Sequence, residues 1–131
     1  MYVLLDTCVL IEAEALDLSD YEDRVAVVSA VSVGELAFGL NTGQDSEGRE
    51  ARLRRVLADY EILPFGVEEA KLYGVLATLV RAAGRNPRPR RLDLQIAATA
   101  AAARVPLLTA NPLGFLGADR LVDVVPVKRS A

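Results

Sequence analysis

Three carboxylates in this chain sit at points where a folded sheet could gather them. Asp6 ends the apolar run Tyr2-Val3-Leu4-Leu5, Glu35 lies inside an amphipathic stretch, and Asp93 opens a long alanine-rich segment. The chain has no histidine, which excludes a Ser-His-Asp triad, a Cys-His pair, imidazole zinc sites and the usual general base. Its one cysteine, Cys8, excludes thiolate zinc sites and an intrachain disulfide. Catalysis, where there is any, therefore rests on carboxylates, Lys or Tyr. A ligand set made only of oxygens suits Mg²⁺ or Mn²⁺.

Each acid has a plainer reading beside the chemical one. Asp6 reads either as a cap at the end of a buried strand or as a site residue. Glu35 reads as a surface glutamate, although Ser32 and Gly39 flank it on the same helical face and leave it open to approach. Asp93 reads as a helix-start acid, stabilised by the helix dipole by ~0.3–1 kcal/mol. Against that, Arg81, Arg85, Arg88, Arg90 and Arg91 precede it with no acid among them. Taken together, three converging carboxylates with no base would repel one another and raise their pKa values. A divalent cation removes that repulsion and can promote hydrolysis of a phosphate ester. Cys8, among Val9, Leu10 and Ile11, reads as a small buried hydrophobe.

The elements that would position these acids follow from periodicity. Tyr2–Leu5 is a continuous apolar run too short for a helix, hence a strand buried on both faces. Cys8 to about Ala15 reads as a short helix and Val25–Val28 as a second strand. Ser29 caps a helix with the stripe Val33, Leu36, Ala37 and Leu40, stopped at Asn41-Thr42-Gly43. Ser46 is read as the cap of a helix over Arg49–Tyr60, and Glu61–Pro64 as an edge strand. Val67–Ala83 forms a long helix burying Ala70, Tyr73, Ala77 and Val80, with Gly84 as its stop. Arg85–Arg91, with Pro87 and Pro89, reads as an extended loop. Leu92–Ala103 is a buried helix, Val105–Thr109 a buried strand, and Val122–Val127 the last strand, at the other edge. Alternating strands and helices imply an α/β fold, a mostly parallel central sheet of about five strands with helices on both faces.

With 131 residues, the chain is expected to form a single domain over 1–131. Residues 1–11 are apolar, but Asp6 interrupts them and no basic stretch comes before, so they do not read as a secretory leader. No apolar run approaches the roughly 18 residues of a spanning helix, and the lone cysteine fits a reducing compartment. The expectation is a cytoplasmic protein with no membrane partner.

Four stretches carry a family resemblance. Leu4-Leu5-Asp6-Thr7, Ser32-Val33-Gly34-Glu35-Leu36, Leu92-Asp93-Leu94-Gln95-Ile96-Ala97-Ala98-Thr99-Ala100 and Leu107-Leu108-Thr109-Ala110-Asn111-Pro112 occur in the order of the PIN domain. The chain resembles that family and, within it, the VapC-type toxins of bacterial toxin–antitoxin pairs. The resemblance implies a metal-dependent endoribonuclease that uses Mg²⁺ or Mn²⁺ and cuts structured RNA, usually tRNA or rRNA. It implies a homodimer silenced by a cognate VapB-type antitoxin. It makes Asp6, Glu35 and Asp93 the catalytic metal ligands and Thr7, Thr109 and Asn111 polar supports. The run Arg88, Arg90 and Arg91 becomes a surface for RNA phosphates.

One departure stands out. The family's turn reads Asn-x-x-Asp-Phe, whereas here it is Asn111-Pro112-Leu113-Gly114-Phe115, with Asp119 a few residues on. The missing acid keeps a second reading open, a catalytically weakened PIN-like module that binds RNA or a partner. A phosphotransferase using Asp6 as nucleophile fits poorly, because Cys8 occupies the position where such enzymes need a second Asp.

Overall fold

The structure is a computed structural model that describes residues 1–39 and 45–130. Leu40 of the amphipathic stripe and the stop at Asn41-Thr42-Gly43 lie outside the described residues. Five strands form one parallel sheet: β1 (Tyr2–Leu5), β2 (Val25–Ser29), β3 (Glu61–Leu63), β4 (Leu107–Thr109) and β5 (Val124–Pro126). Their order is β3-β2-β1-β4-β5, so the first strand of the chain is the central one. Both edges fall where the sequence puts them.

The apolar runs are continuous because both sheet faces are covered. In β1, Val3 and Leu5 pack with Val9, Leu16 and Leu108 on one face, while Leu4 packs with Val27, Leu76 and Leu107 on the other. The first face is covered by α1 (Thr7–Glu12), with α2 (Ala30–Gly39) and α3 (Ser46–Asp59) packing Leu36 and Val56 onto Val28. The second face is covered by α4 (Val67–Ala82) and α5 (Arg91–Ala103). In α5, Leu94, Ile96, Ala97, Ala98 and Ala100 are fully buried, and the alanines let this helix lie close to its neighbours. Gly84 follows α4 with φ 81°, the left-handed conformation that ends helices.

Four local expectations are corrected. The cap of α3 is Asp45, whose carboxylate accepts from the Gly48 amide, and not Ser46, which is the first helical residue. The buried face of α4 centres on Leu76 and Val80, with Tyr73 and Ala77 partly covered and Ala70 exposed. Residues 88–90 form a 3₁₀ turn that runs straight into α5. Proline fits this turn because the first turn of a helix needs no N–H donors from it. Cys8 is only half-buried, since its thiol faces the polar end of β1.

Candidate metal centre

In an open parallel sheet, ligands bind beyond the carboxyl ends of the strands where the chain reverses its direction of winding. Here that point lies between β1 and β4. The chain winds from β1 outward to β2 and β3, then returns to place β4 on the other side of β1. Asp6 follows β1 directly and Thr109 ends β4. The Thr109 hydroxyl donates to Asp6 Oδ2 at 2.7 Å.

Asp6 is 5% exposed, and its carboxylate is held by three donors. The Thr7 amide reaches Oδ1 at 2.9 Å, making Asp6 the N-cap of α1, while Thr109 and the Cys8 thiol, at 3.3 Å, reach Oδ2. The cap and site readings of Asp6 are therefore compatible. Thr109 also accepts from the Asn111 amide at 3.0 Å. It is the backbone of Asn111, not its side chain, that supports Asp6 through Thr109.

Glu35 comes in from α2. Thr7 donates to its Oε1 at 2.7 Å, and the Thr7 oxygen lies 2.8 Å from Ser32 Oγ. A threonine has one hydroxyl proton. With that proton on Glu35, Ser32 donates to Thr7, giving the chain Ser32 to Thr7 to Glu35. Ser32 is fully buried, and its hydrogen bond to Thr7 is a contact that reading the sequence did not foresee. Its one signal was a small polar residue placed three before the glutamate.

Asp93 stands in the first turn of α5. That helix is tied to β2 by Ser29 and Thr99, whose hydroxyls are 2.9 Å apart at full burial. Burial pushes the Asp93 carboxyl up to about 6, and the charges of Asp6 and Glu35 push in the same direction. Arg90, with Nη1 3.7 Å from Asp93 Oδ2, acts against them. The three acids thus share one electrostatic neighbourhood, although they reach it from β1, α2 and α5.

As placed, they do not close into a cage. Among the described residues, no three Asp, Glu or Cys side chains group tightly enough to enclose an ion. The donor set is nonetheless of hard oxygens, and Asp93, raised first by burial, is raised further by the charges of Asp6 and Glu35. Both features suit a divalent cation. Arg88 and Arg91 are exposed, whereas Arg90 is half-buried and turned toward Asp93. Asp119 accepts from the Gly117 amide at 3.1 Å, an interaction within its own turn.

The model of the PIN domain family matches residues 3–115. This chain belongs to the PIN domain family. Among solved structures, it is similar to VapBC-5 from Mycobacterium tuberculosis, a member of the VapBC family of toxin–antitoxin systems. That match has 29% identity and a TM-score of 0.76, over 97% of this chain and 98% of that one. It is similar to VapBC2 from Rickettsia felis bound to a DNA fragment from their promoter, at 22% identity and TM-score 0.75, over 98% and 100% of the two chains. It is also similar to FitAcB from Neisseria gonorrhoeae, at 24% identity and TM-score 0.74, over 93% and 95%. The latter two are likenesses of fold. No curated protein sequence matches the chain. Among the described residues, no helix of this PIN domain is long and apolar enough to cross a membrane.

Proposed function

We propose that this PIN domain is a VapC-type toxin, a metal-dependent endoribonuclease cutting structured RNA such as tRNA or rRNA. The observation that carries the reading is the electrostatic neighbourhood that Asp93 shares with Asp6 and Glu35 near the reversal point of the sheet, where burial raises the Asp93 carboxyl and the charges of the other two acids add to the rise. Asp6, Glu35 and Asp93 would hold Mg²⁺ or Mn²⁺, which when bound supplies Lewis acidity for hydrolysis of a phosphodiester. Thr109 and Thr7 fix the orientation of the Asp6 and Glu35 carboxylates, which would still have to draw inward to surround an ion. Asp93 must be ionised to act as a ligand, which makes the site more competent above about pH 6. Arg88, Arg90 and Arg91 draw the RNA backbone toward a site that would otherwise repel it.

A VapB-type antitoxin is the inhibitory partner in this reading. The similar structures are described as toxin–antitoxin complexes, and this chain offers a groove of about 570 Å³ between α1 and α3, lined by Val9, Leu10, Leu18, Val56 and Tyr60. Through Ile11 and Arg52 the groove continues to a smaller hollow bordered by Glu35. A partner segment lying along it would end beside the acids. The homodimer belongs to the same proposal, with exposed Val67 and Val75 on α4 as its apolar contacts.

The test is cleavage of total RNA by purified protein with Mg²⁺, with Mn²⁺ and with EDTA, beside Asp6→Ala. Cutting at a few positions that needs both metal and Asp6 supports the nuclease. RNA or partner binding with no cutting under any metal would instead support the weakened module, which Gly114 and the open carboxylate cluster favour.

A further inference from the structure

The groove between α1 and α3, about 570 Å³ in volume, has an apolar floor and a charged rim. Val9 and Val56 are buried in the floor, while Leu10, Leu18 and Tyr60 are partly covered. The arginines of α3 divide by their partners. Arg49 donates to the Gly39 carbonyl at 2.6 Å, and Arg54 pairs with Glu50, one turn back, at 3.1 Å. Arg52 and Arg55, one turn apart on the same helical face, both line the groove. Among the described residues, neither forms an ion pair. Arg52 is half-buried and also lines the hollow bordered by Glu35, so the two arginines mark that end of the groove. Further along the walls come two acids, Asp59 on α3 and Glu14 on the 3₁₀ turn Ala13–Ala15. The remaining acid of the rim, Glu12, already pairs with Arg129 at 2.6 Å.

We propose that this groove takes a helical segment of the inhibitory partner, with an apolar stripe flanked at one end by two acids. The stripe covers Leu18, Val56 and Tyr60, and the acids bind Arg52 and Arg55. A lone cation on a solvated helix face needs no partner. Two cations at the lip of an apolar cleft differ, because a helix laid on the floor takes water from their guanidiniums. A charge left uncompensated there costs free energy. Acids one turn apart on the partner face both arginines, and each carboxylate can accept two bonds from a guanidinium. Asp59 and Glu14 repel acids further along, which confines the acidic pair to the end beside Glu35. The groove therefore selects a partner by the sign of the charge at one end of its helix, and not by apolarity alone. This surface rests on the antitoxin reading above.

The experiment measures, by anisotropy at low salt, binding of three fluorescein-labelled, Ala-rich helical peptides of about 16 residues to the full chain. They share one leucine stripe and differ at two flanking positions, one turn apart near one end, which carry Glu, Gln or Lys. The Glu peptide is expected to bind about tenfold more tightly than the Lys peptide, with the Gln peptide between them. Added salt should shrink this spread. Arg52→Glu with Arg55→Glu is expected to invert the order. Arg52→Gln with Arg55→Gln should flatten it, and carries the test if the first variant does not fold. No binding of any peptide, equal binding of all three, or an order that survives both variants would overturn the surface. So would variants whose only effect is weaker tRNA binding, which would give the arginines to RNA. Variants whose only effect is lost self-association would give the groove to a second copy, and would overturn it too. The expected order in a chain that cuts no RNA with any metal would overturn the nuclease reading and leave the surface standing. Metal-dependent cutting with no preference among the peptides would do the reverse.

Discussion

Thr7 donates a 2.7 Å hydrogen bond to Glu35, joining the residue after Asp6 to the acid of another helix. The same hydroxyl accepts from Ser32, so removing it strands two buried or half-buried groups. Thr7→Val keeps the shape and deletes the oxygen. Leaving a buried polar group without its partner costs about 1–3 kcal/mol. Denaturant unfolding should show a loss of that size, and Mn²⁺ titration a weaker site. An unchanged unfolding midpoint with unchanged Mn²⁺ affinity would mean that this link positions nothing.

Asp93 gives a pH signature without any substrate. Its carboxyl is raised from 3.8 to about 6 in the folded chain. Between these values the unfolded chain releases the proton while the folded chain retains it, so the metal-free protein loses stability as pH rises from about 4 to about 6. Asp93→Asn cannot titrate. It is expected to match the wild type near pH 3.5 and to exceed it in thermal stability at pH 7. Equal melting curves at both pH values would contradict the raising of Asp93 by burial and by the neighbouring acids. With metal present, wild-type activity should climb through about pH 6 while Asp93→Asn stays inactive.

Residue 114 lies close enough to Arg90 for a side chain there to be expected to influence metal binding through it. A carboxylate at 114 would meet the Arg90 guanidinium first. Gly114→Asp alone is therefore expected to leave the metal concentration at half-maximal activity nearly unchanged. Gly114→Asp with Arg90→Ala is expected to lower it several-fold. A single substitution as effective as the pair would show that Arg90 does not intercept the new acid.

Arg88 and Arg91 are exposed, and their influence on RNA should be purely electrostatic. Replacing both with Ala should weaken tRNA binding and reduce the salt slope by about two. An unaltered slope would assign them to the solvated surface.

Much of this arrangement could be read from the sequence. The run Val3-Leu4-Leu5 is apolar at consecutive positions only because its alternate residues face two separate cores, and that identifies the central strand. Asp6 then falls at the end of a strand where a charge needs a reason. The proximity of Arg90 to Gly114 was not legible, because it depends on how the turn after β4 packs against the start of α5. Ser32 was noticed only as a small neighbour, since a polar residue on an amphipathic helix usually faces solvent. The turn at Arg88–Arg90 was read as extended from its prolines, although proline is well placed to start a helix. Cys8 looked apolar from its neighbours in sequence, while its neighbours in space are Asp6 and Thr109.

The most direct measurement is the anomalous difference density of Mn²⁺ in crystals grown with the metal. The account predicts a peak bounded by Asp6, Glu35 and Asp93, with the carboxylates drawn inward from their metal-free positions, and no such peak in Asp93→Asn. A peak elsewhere, or none at saturating Mn²⁺, would contradict a metal centre built from these three residues.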